Sequence, residues 1–219
     1  MSVPVVSTLR RSRGTMIEET RARLLAAARR AFAEQGYAHT SMDEFTAAAG
    51  LTRGALYHHF GSKEKLLLAV IDQLEAEVGL RLQAMADAAA TPWEALRRRC
   101  QAYLELALDP ELRRIILQDA RAMFGDVPQA HQRIGIAALE SALQALIDDG
   151  VALPAHAGVT ARMLYGAVTE AAFWIAEADG DPPARLAVSK AALDHLLNGL
   201  LAGPHPHLQA QENHHAIEK

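Results

Sequence analysis

Arg53, Tyr57, His58 and Lys63 fall within eleven residues of one another. The first three recur at helical spacing, so they share one side of a helix together with Gly54. Their chemistry is that of donors. A guanidinium at the start of a helix can reach a base edge, most readily guanine. A phenol hydroxyl and an ammonium can each hold a phosphate, the latter helped by N–H groups at a helix start. His58 can meet either a phosphate or a base. Gly54 lets another surface approach closely, at a cost of about 1 kcal/mol in helix propensity.

The elements that must position these residues are legible around them. Ser41 with Glu44 forms a capping box that opens a short helix over 42–48. Gly50 supplies a left-handed residue to end it, Leu51 is the buried turn residue, and Thr52 caps a second helix from Arg53 to Phe60. Leu56 and Phe60 lie four apart and pack inward. Ser62 caps a third helix, and Lys63 and Lys65 sit near its positive end, where an anionic partner would relieve the conflict. Two short helices joined by a tight turn make a helix-turn-helix, a shape that fits the major groove of DNA. Thr40, Ser41 and Thr52 are further phosphate-donor candidates, with capping as the competing role for the last two. His59 reads as a packing residue. The plainer alternative is a three-helix packing unit with no ligand.

Residues 17–66 resemble the DNA-binding domain of the TetR family of bacterial transcriptional regulators. The resemblance is carried by the first helix (TRARLLAAARRAFAEQG, from Thr20 to Gly36), by Tyr37, and by the run GALYHHFGSKE from Gly54 to Glu64. Phe45 departs from the family pattern, where a smaller aliphatic is usual, and Thr46 stands where alanine is usual; both affect packing detail. The resemblance implies an all-α fold, homodimers, and a larger C-terminal domain that binds a small molecule and so controls DNA binding. It supports Tyr57 and Lys63 best as DNA contacts.

Composition is compatible with this. Half the 219 residues are hydrophobic and only 5% are aromatic, a mixture suited to packed helices. β-Branched residues are too sparse for a large sheet. The net charge of −4 alone argues against a nucleic-acid partner, but its distribution reverses the inference. Residues 1–66 hold 10 Lys/Arg against 6 Asp/Glu, and residues 67–219 hold 12 against 20. The basic surplus therefore accompanies the helix-turn-helix, as duplex binding requires. Cys100 is the single cysteine and reads as buried and inert rather than as a redox sensor. With no apolar signal core and no long apolar run, a cytoplasmic protein without a membrane partner is expected.

Four segments follow along the chain: a basic arm over 1–14 with Arg10, Arg11 and Arg13, the helix-turn-helix domain over 15–66, a helical effector-binding and dimerisation domain over 67–202, and a disordered tail over 203–219. Thr15 with Glu18 offers a cap for the first helix. A long helix from Lys63 to about Ala88 enters the second domain, so a shift of its far end would carry the reading head with it. Further helices are expected from Pro92 to about Leu108, Pro110 to Phe124, Pro128 to Asp149, His156 to Ala178 and Pro182 to Leu201, about nine in all. The four tail histidines lack helical spacing, and neither a metal nor a cofactor is expected.

For the second domain, the resemblance implies that the last two helices pair with their copies in a partner chain. Small residues (Gly166, Ala167, Ala171) and large apolar ones (Leu193, Leu196, Leu197, Leu200) suit such a seam, with intramolecular packing as the alternative. Tyr103, Gln118, Arg121, Met123, Phe124, Met163, Tyr165, Glu170, Phe173 and Trp174 mix apolar and polar side chains as an effector pocket would, though such stripes also serve plain cores. The leading expectation is a repressor that binds a palindromic operator in double-stranded DNA and is released by a small-molecule effector. The rivals are a carrier or enzyme with a vestigial helix-turn-helix, and an effector-blind DNA-binding or interaction protein. No nucleophile–base pair, zinc motif or phosphate-binding glycine loop supports an enzyme.

Overall fold

The structure, a computed structural model, describes residues 13–125, 129–177 and 179–203. Arg10, Arg11, Pro128, Ala178 and the tail histidines lie outside the described residues. The fold is all-α: α1 (Arg13–Gln35), α2 (Met42–Ala48), α3 (Arg53–Phe60), α4 (Lys63–Asp87), α5 (Pro92–Glu105), α6 (110–124), α7 (Gln129–Asp148), α8 (Ala157–Ala176) and α9 (Pro182–Asn198). Helix α1 starts two residues before Thr15, which therefore lies inside the helix and is not its cap. The middle of α6, Arg113–Ala120, is π-helical, which periodicity does not reveal. Among the described residues, strand pairing is limited to an isolated bridge between Ala152 and Leu201. No helix among them is long and apolar enough to cross a membrane.

By their packing, the described residues form two compact units. Among the described residues, the first comprises those up to Leu80 together with those from Leu106 to His131, and the second those from Arg81 to Glu105 and from Gln132 onward. Helix α6 thus belongs with the reading head, for a physical reason. Arg29 on α1 donates to both Glu77 on α4 and Glu111 on α6, at 2.7–2.9 Å. These two carboxylates hold its guanidinium above its ordinary pKa.

In the first unit, α1, α2 and α3 pack on one another through Leu24, Ala28, Phe32, Phe45, Leu56 and Phe60, all buried. Burial of each large apolar side chain contributes roughly 1.5–3 kcal/mol. Phe45 and Thr46, the two departures from the family pattern, both face this core. The Thr46 hydroxyl is satisfied there by donating to the Met42 carbonyl at 2.7 Å. Arg21 lies over the Phe60 ring at 4.9 Å. Arg23 donates to the Ala49 carbonyl at 2.7 Å, where the end of α2 leaves acceptors open.

In the second unit, α5, α8 and α9 pack together. Asp194 on α9 accepts from Arg97 at 2.9 Å and from Gln101 at 2.7 Å, both on α5. The Arg97 guanidinium holds that carboxyl below its usual range. Lys190 and Glu105 pair between the same two helices. At the α8–α9 turn, Arg185 donates to the Trp174 carbonyl at 2.7 Å and lies over the Trp174 ring at 5.0 Å. Cys100 is buried in α5, and burial pushes its thiol up to about 12, so little thiolate exists near neutral pH.

Candidate nucleic-acid interface

The reading head is built as its local sequence dictates. The Ser41 hydroxyl accepts from the Glu44 N–H at 3.3 Å and opens α2. At the other end, Leu51 N–H donates to the Thr46 carbonyl and Gly50 N–H to the Ala47 carbonyl, both at 2.9 Å. That pair of bonds is a Schellman closure, and it requires the left-handed φ of 64° that Gly50 adopts. Thr52 then caps α3 by accepting from Ala55 N–H at 3.1 Å. Ser62 caps α4 by accepting from Lys65 N–H at 3.1 Å.

Helix α3 turns Leu56 and Phe60 inward and leaves Arg53, Gly54, Tyr57 and His58 exposed. Its donor-bearing side is therefore open along two turns. A Cβ added at Gly54 would meet only Thr52 Oγ1, at 3.8 Å. Nothing within the chain requires a glycine there, so its cost in helix propensity has no internal compensation. His59 is half-buried and stacks edge-on against His58, with ring centroids 5.5 Å apart.

Arg53 is held from two sides. Its Nη1 donates to both Asp43 carboxylate oxygens, at 2.9 and 3.2 Å. Its Nη2 donates to the Tyr57 hydroxyl at 3.3 Å, and its guanidinium lies 5.4 Å from the Tyr57 ring centre. Sequence reasoning missed Asp43. The only available signal was an acidic residue on an otherwise donor-rich surface, ten residues before an arginine.

Lys63 at the start of α4 lies 4.5 Å from the centre of the Tyr37 ring. Partial burial lowers its pKa, and the nearby Asp119 carboxylate opposes that shift. Thr40 requires a correction. It was expected to donate to a phosphate, but it is 4% exposed and its hydroxyl donates to the Gly36 carbonyl at 2.7 Å. It ties the α1–α2 corner instead. Ser41 and Thr52 cap as described, and each retains an O–H that can donate outward.

The remaining candidates divide between the units. Gln118, Arg121 and Phe124 lie on α6 in the first unit, with Met123 exposed beside them. Tyr103, Tyr165 and Phe173 belong to the second unit, where Phe173 is buried. The Tyr165 ring lies against Gly135 of α7, where an added Cβ would come within 2.7 Å of Cε2.

Met163, Glu170 and Trp174 do not join the interior. Met163 is 71% exposed, and with Val159, Gly166, Ala167, Glu170 and Trp174 it forms one outward stripe on α8. The spacing explains the correction, since these positions recur every three or four residues and share a face. On α9 the seam also needs correcting. Leu193 and Leu197 are 4% and 0% exposed and fill the core of their own unit, whereas Leu196 is 60% exposed. Its neighbours on the outward face are Val188, Ala191, Ala192 and His195. Ala171 is half-buried, and Leu200 is half-buried with its carbonyl accepting from Leu153 N–H at 2.8 Å.

Three further polar groups escaped the sequence reading. The Thr169 hydroxyl is buried without a hydrogen-bond partner among the described residues. Arg99 donates to Gln83 at 3.3 Å, and burial lowers its pKa. Glu75 on α4 is pushed up to about 7 by burial. Among the described residues, no cluster of His, Cys, Asp and Glu is placed to hold a metal ion.

The family model described as bacterial regulatory proteins, tetR family, matches residues 24–70, and one described as tetracyclin repressor-like, C-terminal domain, matches residues 93–200. The crystal structure of a TetR-family transcriptional regulator from Pectobacterium atrosepticum is 52% identical and superposes with a TM-score of 0.82, over 89% of this chain and all of that one. The transcriptional regulator TtgR of Pseudomonas putida is 38% identical over 100 residues, which is 45% of this chain and 48% of TtgR. The match thus spans about half the length of that relative. The transcriptional repressor AcnR of Corynebacterium diphtheriae is 32% identical over 140 residues, 60% of this chain and 70% of AcnR. The open donor face of α3, the caps that set it, and these matches lead to one conclusion: the chain belongs to the TetR family of bacterial transcriptional regulators.

Proposed function

We propose that this chain is a ligand-responsive repressor that binds a palindromic operator in duplex DNA as a homodimer. The observation that carries the proposal is the outward face of α3, where Arg53, Gly54, Tyr57 and His58 are exposed above a buried Leu56 and Phe60. In this reading Arg53 addresses a base edge, and Tyr57 and Lys63 hold phosphates. Gly54 lets the DNA backbone come close.

Dimerisation uses the outward stripes of α8 and α9. Val159, Met163, Val188 and Leu196 are each more than half exposed on the single chain, a large apolar exposure for a water-facing surface. Gly166, Ala167, Ala191 and Ala192 between them permit close helix approach. Reading a palindrome requires the two recognition helices of the pair to stand roughly 34–36 Å apart, one turn of DNA.

The effector is a small molecule bound by the second unit, with Tyr103, Tyr165 and the unpartnered Thr169 hydroxyl as orienting groups. An effector that favours another spacing of the two reading heads lowers DNA affinity by linkage. Tenfold relief needs about 1.4 kcal/mol of differential binding. Repression, rather than activation, follows the named activity of the AcnR relative.

The test is anisotropy titration of labelled duplexes covering the DNA upstream of the protein's own coding region, at several salt concentrations. One duplex should bind selectively, Tyr57→Phe and Lys63→Ala should both weaken binding, and Lys63→Ala should lower the salt slope by about one. Selective binding that neither substitution affects would contradict the docking arrangement.

A further inference from the structure

Asp43 places a carboxylate on the surface that would face a polyanion, where it costs affinity for every sequence. It is exposed and accepts from the Arg53 guanidinium, through both oxygens onto one nitrogen. A guanidinium has five N–H donors in a fixed plane. Asp43 occupies Nη1, and the Tyr57 hydroxyl takes one bond from Nη2. Neither contact engages the Nε–H, which with the adjacent Nη2–H forms one edge of the plane. That edge matches the two acceptors that guanine presents in the major groove, O6 and N7.

We propose that Asp43 is a positioning residue that sets base specificity through Arg53. Its carboxylate orients the guanidinium plane so that the remaining donor edge meets a guanine. It also restrains Arg53 from swinging to the nearest phosphate, which any sequence offers. In water such an exposed pair is worth little. Once DNA excludes water, the pair strengthens and the orientation is enforced. Asp43 therefore exchanges general affinity for discrimination, and its removal should move the two in opposite directions. An arginine on a merely structural surface would show neither effect.

This inference rests on the DNA-binding reading, and the experiment separates the two. The full-length protein first selects its preferred site from a random duplex pool. Affinity is then measured on that duplex, on variants with each base pair replaced, and on a scrambled duplex. Arg53→Ala identifies the base pair that Arg53 reads, as the one position where it abolishes preference. In the unaltered protein, replacing that pair should cost about tenfold or more. Asp43→Asn, which keeps the side-chain shape, should reduce that preference to about twofold while strengthening scrambled-duplex binding about two- to fivefold. Asp43→Glu should recover part of the preference, and Asp43→Asn added to Arg53→Ala should change no base preference further. Thermal melting of each variant establishes that it is folded. Full retention of the preference in Asp43→Asn would overturn the proposal, as would equal losses at all base pairs or a selected site indifferent to Arg53→Ala. Failure of the unaltered protein to select any duplex would overturn the DNA-binding reading, and this inference with it.

Discussion

The backbone N–H of Tyr37 donates to the Asp119 carboxylate at 2.7 Å, joining the corner after α1 to the π-helical stretch of α6 across 82 residues of sequence. Arg114, one turn earlier on α6, reaches Asp119 at 3.5 Å and covers Gly36. Tyr37 in turn carries Lys63 on its ring. A single carboxylate thus supports the side of the reading head on which a phosphate contact is proposed. Asp119→Ala should leave the Tyr37 N–H without its partner and destabilise the fold by about 1–3 kcal/mol in urea melts. Asp119→Asn, whose amide oxygen can still accept, should cost less.

Gly54 separates folding from binding. Gly54→Ala should leave stability unchanged or raise it by up to about 1 kcal/mol, because the added methyl meets only ordinary contact. DNA affinity should fall by roughly tenfold, equivalent to about 1.4 kcal/mol. Melting and titration of the same variant check both halves. A loss of stability with intact binding would assign the glycine to the fold instead.

Leu196 and Leu197 are chain neighbours with opposite surroundings, 60% and 0% exposed. Leu196→Asp should leave each chain helical and shift sedimentation to the monomer. Leu197→Ala should empty a core site and cost about 2–5 kcal/mol by denaturant titration. Exchange of the two outcomes would mean that the outward face of α9 has been misassigned.

Glu75 makes stability depend on pH. Burial raises its carboxyl from an ordinary 4.5 to about 7. Between those values the folded chain keeps a proton that the unfolded chain has released. Its contribution therefore falls as pH rises through that window and levels off above it. Glu75→Gln should raise the melting temperature at pH 8, by an amount equivalent to about 2–3 kcal/mol at most, and should change little at pH 4.5. An equal shift at both pH values would trace the effect to packing.

The reading head was legible because its determinants are local. Ser41, Gly50, Thr52 and Ser62 act within three or four residues of themselves, and Leu56 with Phe60 fixes which side of α3 turns inward. The Asp43–Arg53 pair was not legible, since it crosses the turn and depends on the angle between two helices. The ties of α6 to the reading head are not legible for the same reason, because Glu111 and Asp119 find their partners 82 residues away. On α8 and α9, alanine and leucine occupy nearly every side, so the pattern alone could not choose between Leu196 and Leu197. Met163 and Trp174 carry the composition of a pocket but the placement of a surface. Chemical character was readable there; direction required the packing of α5 against both helices.

Site selection from a random duplex pool with the full-length protein tests the central claim most directly. An inverted repeat should emerge, with half-site centres separated by about one helical turn of DNA or a multiple of it. A lone asymmetric site, or no enrichment at all, would contradict a two-fold pair of α3 helices reading successive major grooves.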